Sequence, residues 1–312
     1  MKHEGNQTLP LGTRMTALAI VLLLGTLWGV LRAESLTIAT YNVENYCPAD
    51  RMTAAGFRPG YPKPEAEKRA LRDVIRGLKA DLLFLQEMGP QPYLDELRRD
   101  LKADGIDYPF AVLLEAGDAD RHVALLSRRP PQAVVPHQDL KFSYLGGSET
   151  VKRGLLEVTI ATAAGDVTLF GLHLKSRFTD RPDDPLSAQR RGGEAAAIRD
   201  RVLRRVADPA VTRFLLLGDC NDLPASPAMH RLQRRGKTEV AALLPATDTR
   251  GETWTHNYRK ADSYSRVDHI LVSAALRPAV TGGMAHIYDG PGVREASDHR
   301  PVWMVLELAA KE

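Results

Sequence analysis

The chain has 312 residues, 44% of them hydrophobic and 26% charged, an ordinary globular composition with length for one large core or two modest ones. The formal net charge is +3, but Lys2, Arg14 and Arg32 outweigh Glu4 by two charges within the first 33 residues, so the remainder carries only +1. Bulk positive charge therefore does not make this a protein that coats nucleic acid, although a polynucleotide substrate stays open.

Residues 15–31 contain no charge and follow Lys2, His3 and Arg14. Arg32-Ala33-Glu34-Ser35 comes next, with Ala33 as a small residue suited to cleavage. Residues 1–33 read as a secretory signal peptide or, uncleaved, as a membrane anchor at the lower edge of spanning length. On either reading residues 34–312 form one exported domain, secreted or periplasmic in the first case and tethered to a membrane in the second. No second apolar run of that length appears. Cys47 and Cys220 are the two cysteines; in an exported chain they either pair or stay as two small thiols.

Ser35–Val43 has the composition of a strand, and a Pro/Gly-rich loop from Cys47 to Pro64 follows it. Glu65–Leu78 is an amphipathic helix, with Ala66, Ala70, Leu71, Val74, Ile75 and Leu78 on one side. Asp81–Gln86 is a continuous apolar strand buried on both faces, and a second helix covers Tyr93–Ala103. The period then changes. His122–Ser127, Leu155–Ile160 and Val167–Leu174 are strands, with a tight turn at Ala163-Ala164-Gly165-Asp166. Arg177–Pro185 is a loop. Leu186–Val206 is a long helix with Ser187 as its N-cap. Phe214–Leu217 is a buried strand, Ser226–Arg234 a short helix, and His269–Val272 and Val302–Leu308 are the last strands. Strands and helices mix without regular alternation. That argues against a doubly wound sheet or an alternating barrel and for an α/β fold of two packed sheets with helices outside.

Chemistry-bearing residues recur where apolar runs end: Thr40-Tyr41-Asn42-Val43-Glu44-Asn45, Leu85-Gln86-Glu87, Leu172-His173-Leu174-Lys175-Ser176, Gly218-Asp219-Cys220-Asn221-Asp222, Val267-Asp268-His269 and Ser297-Asp298-His299-Arg300-Pro301-Val302. Glu87 closes a fully apolar strand, where a lone carboxylate needs compensation by a cation, a salt bridge or a helix cap. With Asn42, Glu44 and Asp298 it makes an oxygen-rich set suited to Mg²⁺ or Mn²⁺; no His-x-x-x-His or paired cysteine motif favours zinc. Asp219 and Asn221 face one way on an extended segment, so one can activate a water that the other orients. His173 and Lys175 share a strand face and can hold an anionic oxygen, and His173 can protonate a leaving group. Arg153, and less so Lys152, can add positive charge near a phosphate. Asp268 can bond a ring nitrogen of His299 and favour the imidazolium, which then stabilises charge on phosphorus. Together they point to metal-assisted attack of water on a phosphate ester.

In this order the motifs resemble those of the endonuclease/exonuclease/phosphatase superfamily, over Asn42 to Val302. The resemblance implies a four-layer α/β sandwich of two packed mixed β-sheets flanked by helices. It implies Glu87 as principal Mg²⁺ ligand, Asn42 beside it on metal or phosphate, and Asp219 and Asn221 at the attacking water. It places His173 at the phosphate and leaving group, Asp268 behind His299, and Asp298 near the metal. Some relatives carry Asp where this chain has Glu44.

The leading functional reading is an exported Mg²⁺-dependent phosphodiesterase, most simply an endonuclease or exonuclease. Trp254-Thr255-His256-Asn257-Tyr258-Arg259, with Tyr264 and Arg266, mixes aromatic and basic side chains that can stack bases and hold phosphates, or simply pack a loop. The alternative is a phosphohydrolase of lipid or inositol head groups. An exposed apolar hairpin next to the site would favour that alternative, with Phe142-Ser143-Tyr144-Leu145 the candidate. A binding module without catalysis would lack Glu87, Asp219, Asn221 or His299, and all four are present. No obligate protein partner is indicated.

Overall fold

The computed structural model describes Met1, residues 34–53 and residues 55–309. Apart from Met1, the segment read as leader or anchor lies outside them. One sheet has seven strands, in spatial order Ala246–Thr247, Ala285–Ile287, Val302–Leu308, Glu34–Tyr46, Leu82–Met88, His122–Ser127 and Phe110–Leu114. The other has six, in the order Ala242–Leu243, Asp268–Val272, Phe214–Asp219, Val167–His173, Leu155–Ile160 and Pro131–His137. Both mix parallel and antiparallel pairs.

Side-chain alternation along the strands builds the layers. Ile38, Leu82 and Phe84 point inward and meet Val158, Leu169, Leu217 and Ile270 of the facing sheet. Their neighbours Ala39, Tyr41, Leu83 and Leu85 point outward, under helices α1 (Glu65–Leu78) and α2 (Gln91–Ala103). Phe170, Leu172 and Leu216 do the same on the second sheet under α3 (Ala188–Arg205) and α4 (Pro227–Gln233). The four-layer sandwich explains why the central strands read as unbroken apolar runs: both faces are covered.

Several local expectations are corrected. The Pro/Gly-rich stretch is not a plain loop. It forms a hairpin of Ala49–Thr53 against Gly56–Tyr61, in which Met52 faces Phe57 across the pair. Ser187 stands before α3 in the left-handed region (φ 52°) and caps nothing. The preceding Asp184 does that work, accepting from the Gln189 and Arg190 amides at 3.1 and 3.0 Å. Phe110–Leu114, an apolar run not read as a strand, and Pro131–His137 are edge strands of the two sheets and are largely half-exposed or exposed. Lys141–Tyr144 does pair into a hairpin with Gly147–Thr150, but Tyr144 is buried and donates to Asp184, and Phe142 packs against α3, leaving only Leu145 exposed. Cys47 and Cys220 are both free and buried.

Gly218 is where the fold tolerates least. Its φ is +149°, and a Cβ there would lie 1.9 Å from the Leu172 carbonyl oxygen of the adjacent strand. Gly218→Ala should therefore cost about 3 kcal/mol or more. Gly192→Ala on α3, which meets only the flexible tip of Arg231, should be near neutral. Urea unfolding of both variants checks this; equal stability of the two would contradict the account.

Candidate active site

Register brings the second sheet's chemistry to one level. His173 lies beside Asp219 in the parallel pair of their strands, and Asp268 lies beside Asp219 in the antiparallel pair on the other side. Asn42, from the first sheet, reaches across and donates its Nδ2 to Asp219 Oδ2 at 3.0 Å. Asn221 donates its side-chain amide to the same oxygen at 3.1 Å and its backbone N–H to Oδ1 at 2.8 Å. Its left-handed backbone (φ 50°) turns the chain back over the carboxylate, where Nδ2 also reaches the Leu174 carbonyl at 3.0 Å. Cys220, between the two, points away into the core under α3 and α4.

Charge in this cluster is sharply divided. Asp219 is fully buried, and burial first, then the charge of Asp268, pushes its carboxyl up to about 7. Burial alone would lower His299. Asp268 Oδ2, 2.8 Å from His299 Nδ1, more than offsets this, with help from Asp219 and Asp298, and holds the ring well above the ordinary histidine value. His173 goes the other way. Burial, and then the nearby Arg153 charge, drive it well below the ordinary value, so it sits as neutral imidazole with Nε2 3.5 Å from Asp219. Of the two histidines beside Asp219, the surroundings of His299 favour the protonated ring and those of His173 the neutral one.

The first sheet supplies carboxylates. A bulge interrupts the pairing between Asn42/Gln86 and Tyr46/Met88 and sets Glu87 opposite residues 43–45. Glu44, Asn45 and Glu87 all have positive φ, at 48°, 50° and 60°. Such strain persists only where surrounding contacts fix it. Glu87 Oε2 accepts the Asn45 amide at 3.0 Å, and Glu44 Oε2 accepts the Asp298 amide at 3.0 Å. Arg51 Nη2 holds the Asn45 carbonyl at 2.5 Å, and Lys63 Nζ the Glu44 carbonyl at 3.3 Å. Burial, and next the charge of Asp298, raise the Glu44 carboxyl. Glu44 and Asp298 adjoin each other at this end, and Glu87 is tied to the same turn through Asn45; their carboxylate oxygens, with the Asn42 amide, are of the type that suits a hard divalent cation such as Mg²⁺. Among the described residues the acidic and histidine side chains already close enough to share an ion are His256, Asp298 and His299, and Asp219, Asp268 and His299.

Two expected residues stand apart. Arg153 is buried and spends its Nε on Asp118 at 2.8 Å. It acts on His173 through its field, and its Nη1 has no partner. Lys175 does not share a strand face with His173, because the strand ends at His173; its Nζ turns to Ser176 and the Phe178 carbonyl. Three other residues belong to the site. His256 Nε2 lies 3.6 Å from Asp298, and its ring lies 4.5 Å from the His299 ring. Ser297 ties the Asn42 carbonyl at 2.8 Å and receives the His299 amide. Arg121 anchors Asn45 at 2.7 Å. His256 carried a sequence signal as part of the aromatic and basic stretch and Ser297 as the opening of the Ser297–Val302 motif, whereas Arg121 carried none.

The sequence model of the Endonuclease/Exonuclease/phosphatase family matches residues 39–299. No curated protein matches the chain by sequence. Among solved structures it is similar to a Staphylococcus aureus beta toxin mutant with bound magnesium ions, at 18% identity and TM-score 0.61, covering 87% of this chain and 99% of that one. It is similar to sphingomyelinase C from Streptomyces griseocarneus, at 17% identity and TM-score 0.58, covering 88% and 99%. The human Nocturnin catalytic domain gives 13% identity and TM-score 0.58, covering 87% and 93%. At these identities the likeness to each is one of fold.

The division of charge has a direct readout. In metal-free protein at pH 7 the ¹⁵N shifts of His299 should be those of an imidazolium. In Asp268→Asn the largest compensation is gone, Asp219 and Asp298 alone oppose burial, and the titration of the ring should move to clearly lower pH than in the parent protein. An unchanged His299 spectrum in the variant would contradict this.

Proposed function

From its place in the endonuclease/exonuclease/phosphatase family, to which the chain belongs and whose members are Mg²⁺-dependent phosphoric ester hydrolases, we propose that it is an exported phosphodiesterase that attacks phosphorus with water. One observation carries the reading: Asp219, buried and poised near neutrality, is gripped by Asn42 and Asn221 with the protonated His299 4.0 Å away. A carboxylate tuned to about 7 is a base matched to neutral solution. It takes the proton of the attacking water, and the two amides fix the carboxylate so that the water approaches in one direction. His299, oriented by Asp268, places its Nε2 proton against the charge that grows on the phosphate oxygens. His173 serves as a neutral polar contact to the phosphate. Glu87, Asn42, Glu44 and Asp298 would hold a magnesium ion, which when bound would supply positive charge at the phosphate.

Export rests on the charge-free residues 15–31 behind Lys2 and Arg14, and the domain on residues 34–312. A nucleic-acid substrate is supported by Tyr258, Arg259 and Lys260, which line a cleft beside Glu44 and Asp298. A lipid substrate is supported by a different observation: Met52 and Phe57, at the end of the hairpin that Arg51 pins to the Glu44–Asn45 turn, are 79% and 59% exposed.

Purified protein should hydrolyse at least one of plasmid DNA, single-stranded RNA, sphingomyelin or an inositol polyphosphate in Mg²⁺, and EDTA should abolish the activity. Asp219→Ala should lower kcat by about 10²–10⁴-fold. Glu87→Gln should instead raise the Mg²⁺ needed for half-maximal rate by about tenfold or more. Activity that survives EDTA and Asp219→Ala would refute the assignment.

A further inference from the structure

The metal-binding end of the site opens into a cleft of about 520 Å³, within the range that takes a small-molecule group. One wall is the hairpin of residues 49–61, through Arg51 and Met52; the other is the turn Tyr258-Arg259-Lys260. Glu44 and Asp298 form its inner end. A group attached to a phosphate bound there therefore has this cleft in front of it. A succession of rings leads into it from the reaction centre. His299 lies 4.5 Å from His256, and His256 lies 6.3 Å from Tyr258, the planes tilted by only 33° and 35°. Tyr258 ends the series with half its surface exposed (48%).

Charge decides what such a cleft accepts. Of its acidic groups, Glu67 is engaged by Lys63 at 3.2 Å and by Arg51 at 3.8 Å, Glu44 by Arg259 at 3.9 Å, and Asp298 by His256 at 3.6 Å. Asp50 accepts the Gly60 amide. On the outer lip Arg259 is steadied by the Arg294 carbonyl at 3.2 Å, and Lys260 beside it is exposed. Lys260, with Arg259 between it and Glu44, thus stands next to an exposed aromatic face, a combination that suits a flat base followed by another phosphate.

We propose that this cleft is a nucleotide subsite: the base adjoining the scissile phosphate stacks on Tyr258, and the next phosphate along the strand lies against Arg259 and Lys260. This rests on the phosphodiesterase reading and narrows its substrate to single-stranded nucleic acid.

Three esters with the same leaving group test it on the full-length protein in Mg²⁺: the p-nitrophenyl esters of thymidine 5′-phosphate, of methyl phosphate and of phosphocholine. The nucleotide ester should be preferred over the methyl ester in kcat/KM. Tyr258→Ala should reduce that preference about tenfold, largely through KM, and Tyr258→Trp should restore it. A second readout needs no turnover. Labelled oligothymidylate should bind Asp219→Ala, and adding Lys260→Ala should flatten the slope of log affinity against log salt by about 0.7. Preference for the phosphocholine ester, or a nucleotide preference untouched by Tyr258→Ala, would overturn the subsite while leaving the phosphodiesterase intact. If no ester is cleaved but oligothymidylate binding still depends on Tyr258 and Lys260, the subsite stands and the catalytic reading falls.

Discussion

The hydrogen bond from Asn42 Nδ2 to Asp219 Oδ2, 3.0 Å long and closing a separation of 177 residues, joins the two sheets at the site, with the 2.8 Å His299–Asp268 bond crossing beside it. The first sheet's strand ends bring Asn42, Glu44, Glu87, Asp298 and His299, and the second brings His173, Asp219 and Asp268. Neither set is complete without the other. The bond lies where the two central strands end, over the fully buried layer formed by Ile38, Phe84, Leu169 and Leu217. Packing of the sandwich therefore sets the distance between metal end and base. Such cores resist small displacements, which is what a site sensitive to about 1 Å requires.

Burial does a second task. In water the carboxyl of Asp219 and the rings of His173 and His299 would titrate within a few units of one another. Taken out of water, they separate according to their neighbours. Asp268 stands beside Asp219 and His299 and acts on both, raising the first by repulsion and the second by attraction. Burial, and after it the charge of Arg153 nearby, keep His173 neutral. One acid, one base and one neutral imidazole thus arise from three groups packed within a few ångströms, and each assignment traces to a named partner.

Much of this was legible in the sequence because the signals are local. The apolar stripe of Leu71, Val74, Ile75 and Leu78 defines α1 from Glu65 to Leu78 as read. The strand-end motifs supply Asn42, His173, Asp219, Asn221, Asp268 and His299, which the structure gathers into one bonded cluster. What escaped depends on contacts distant in sequence or on special backbone. The 49–61 hairpin is cued by glycines rather than by alternation, so its exposed Met52 and Phe57 were invisible while Phe142 and Tyr144 drew attention and proved packed. Lys175 falls just past the end of its strand, where side-chain alternation no longer applies. His256 reaches the site through an isolated bridge to His299, a pairing no local pattern encodes.

The claim on which the account turns is that a water activated by Asp219 attacks phosphorus directly, with neither His173 nor His299 forming a bond to it. A single in-line displacement inverts the configuration of phosphorus, whereas a covalent phosphohistidine intermediate, formed and then hydrolysed, would retain it. The measurement is the stereochemical course of hydrolysis of a chiral phosphorothioate diester in ¹⁸O-water. The account predicts inversion; retention would contradict it and would require a covalent intermediate on a side chain of the site.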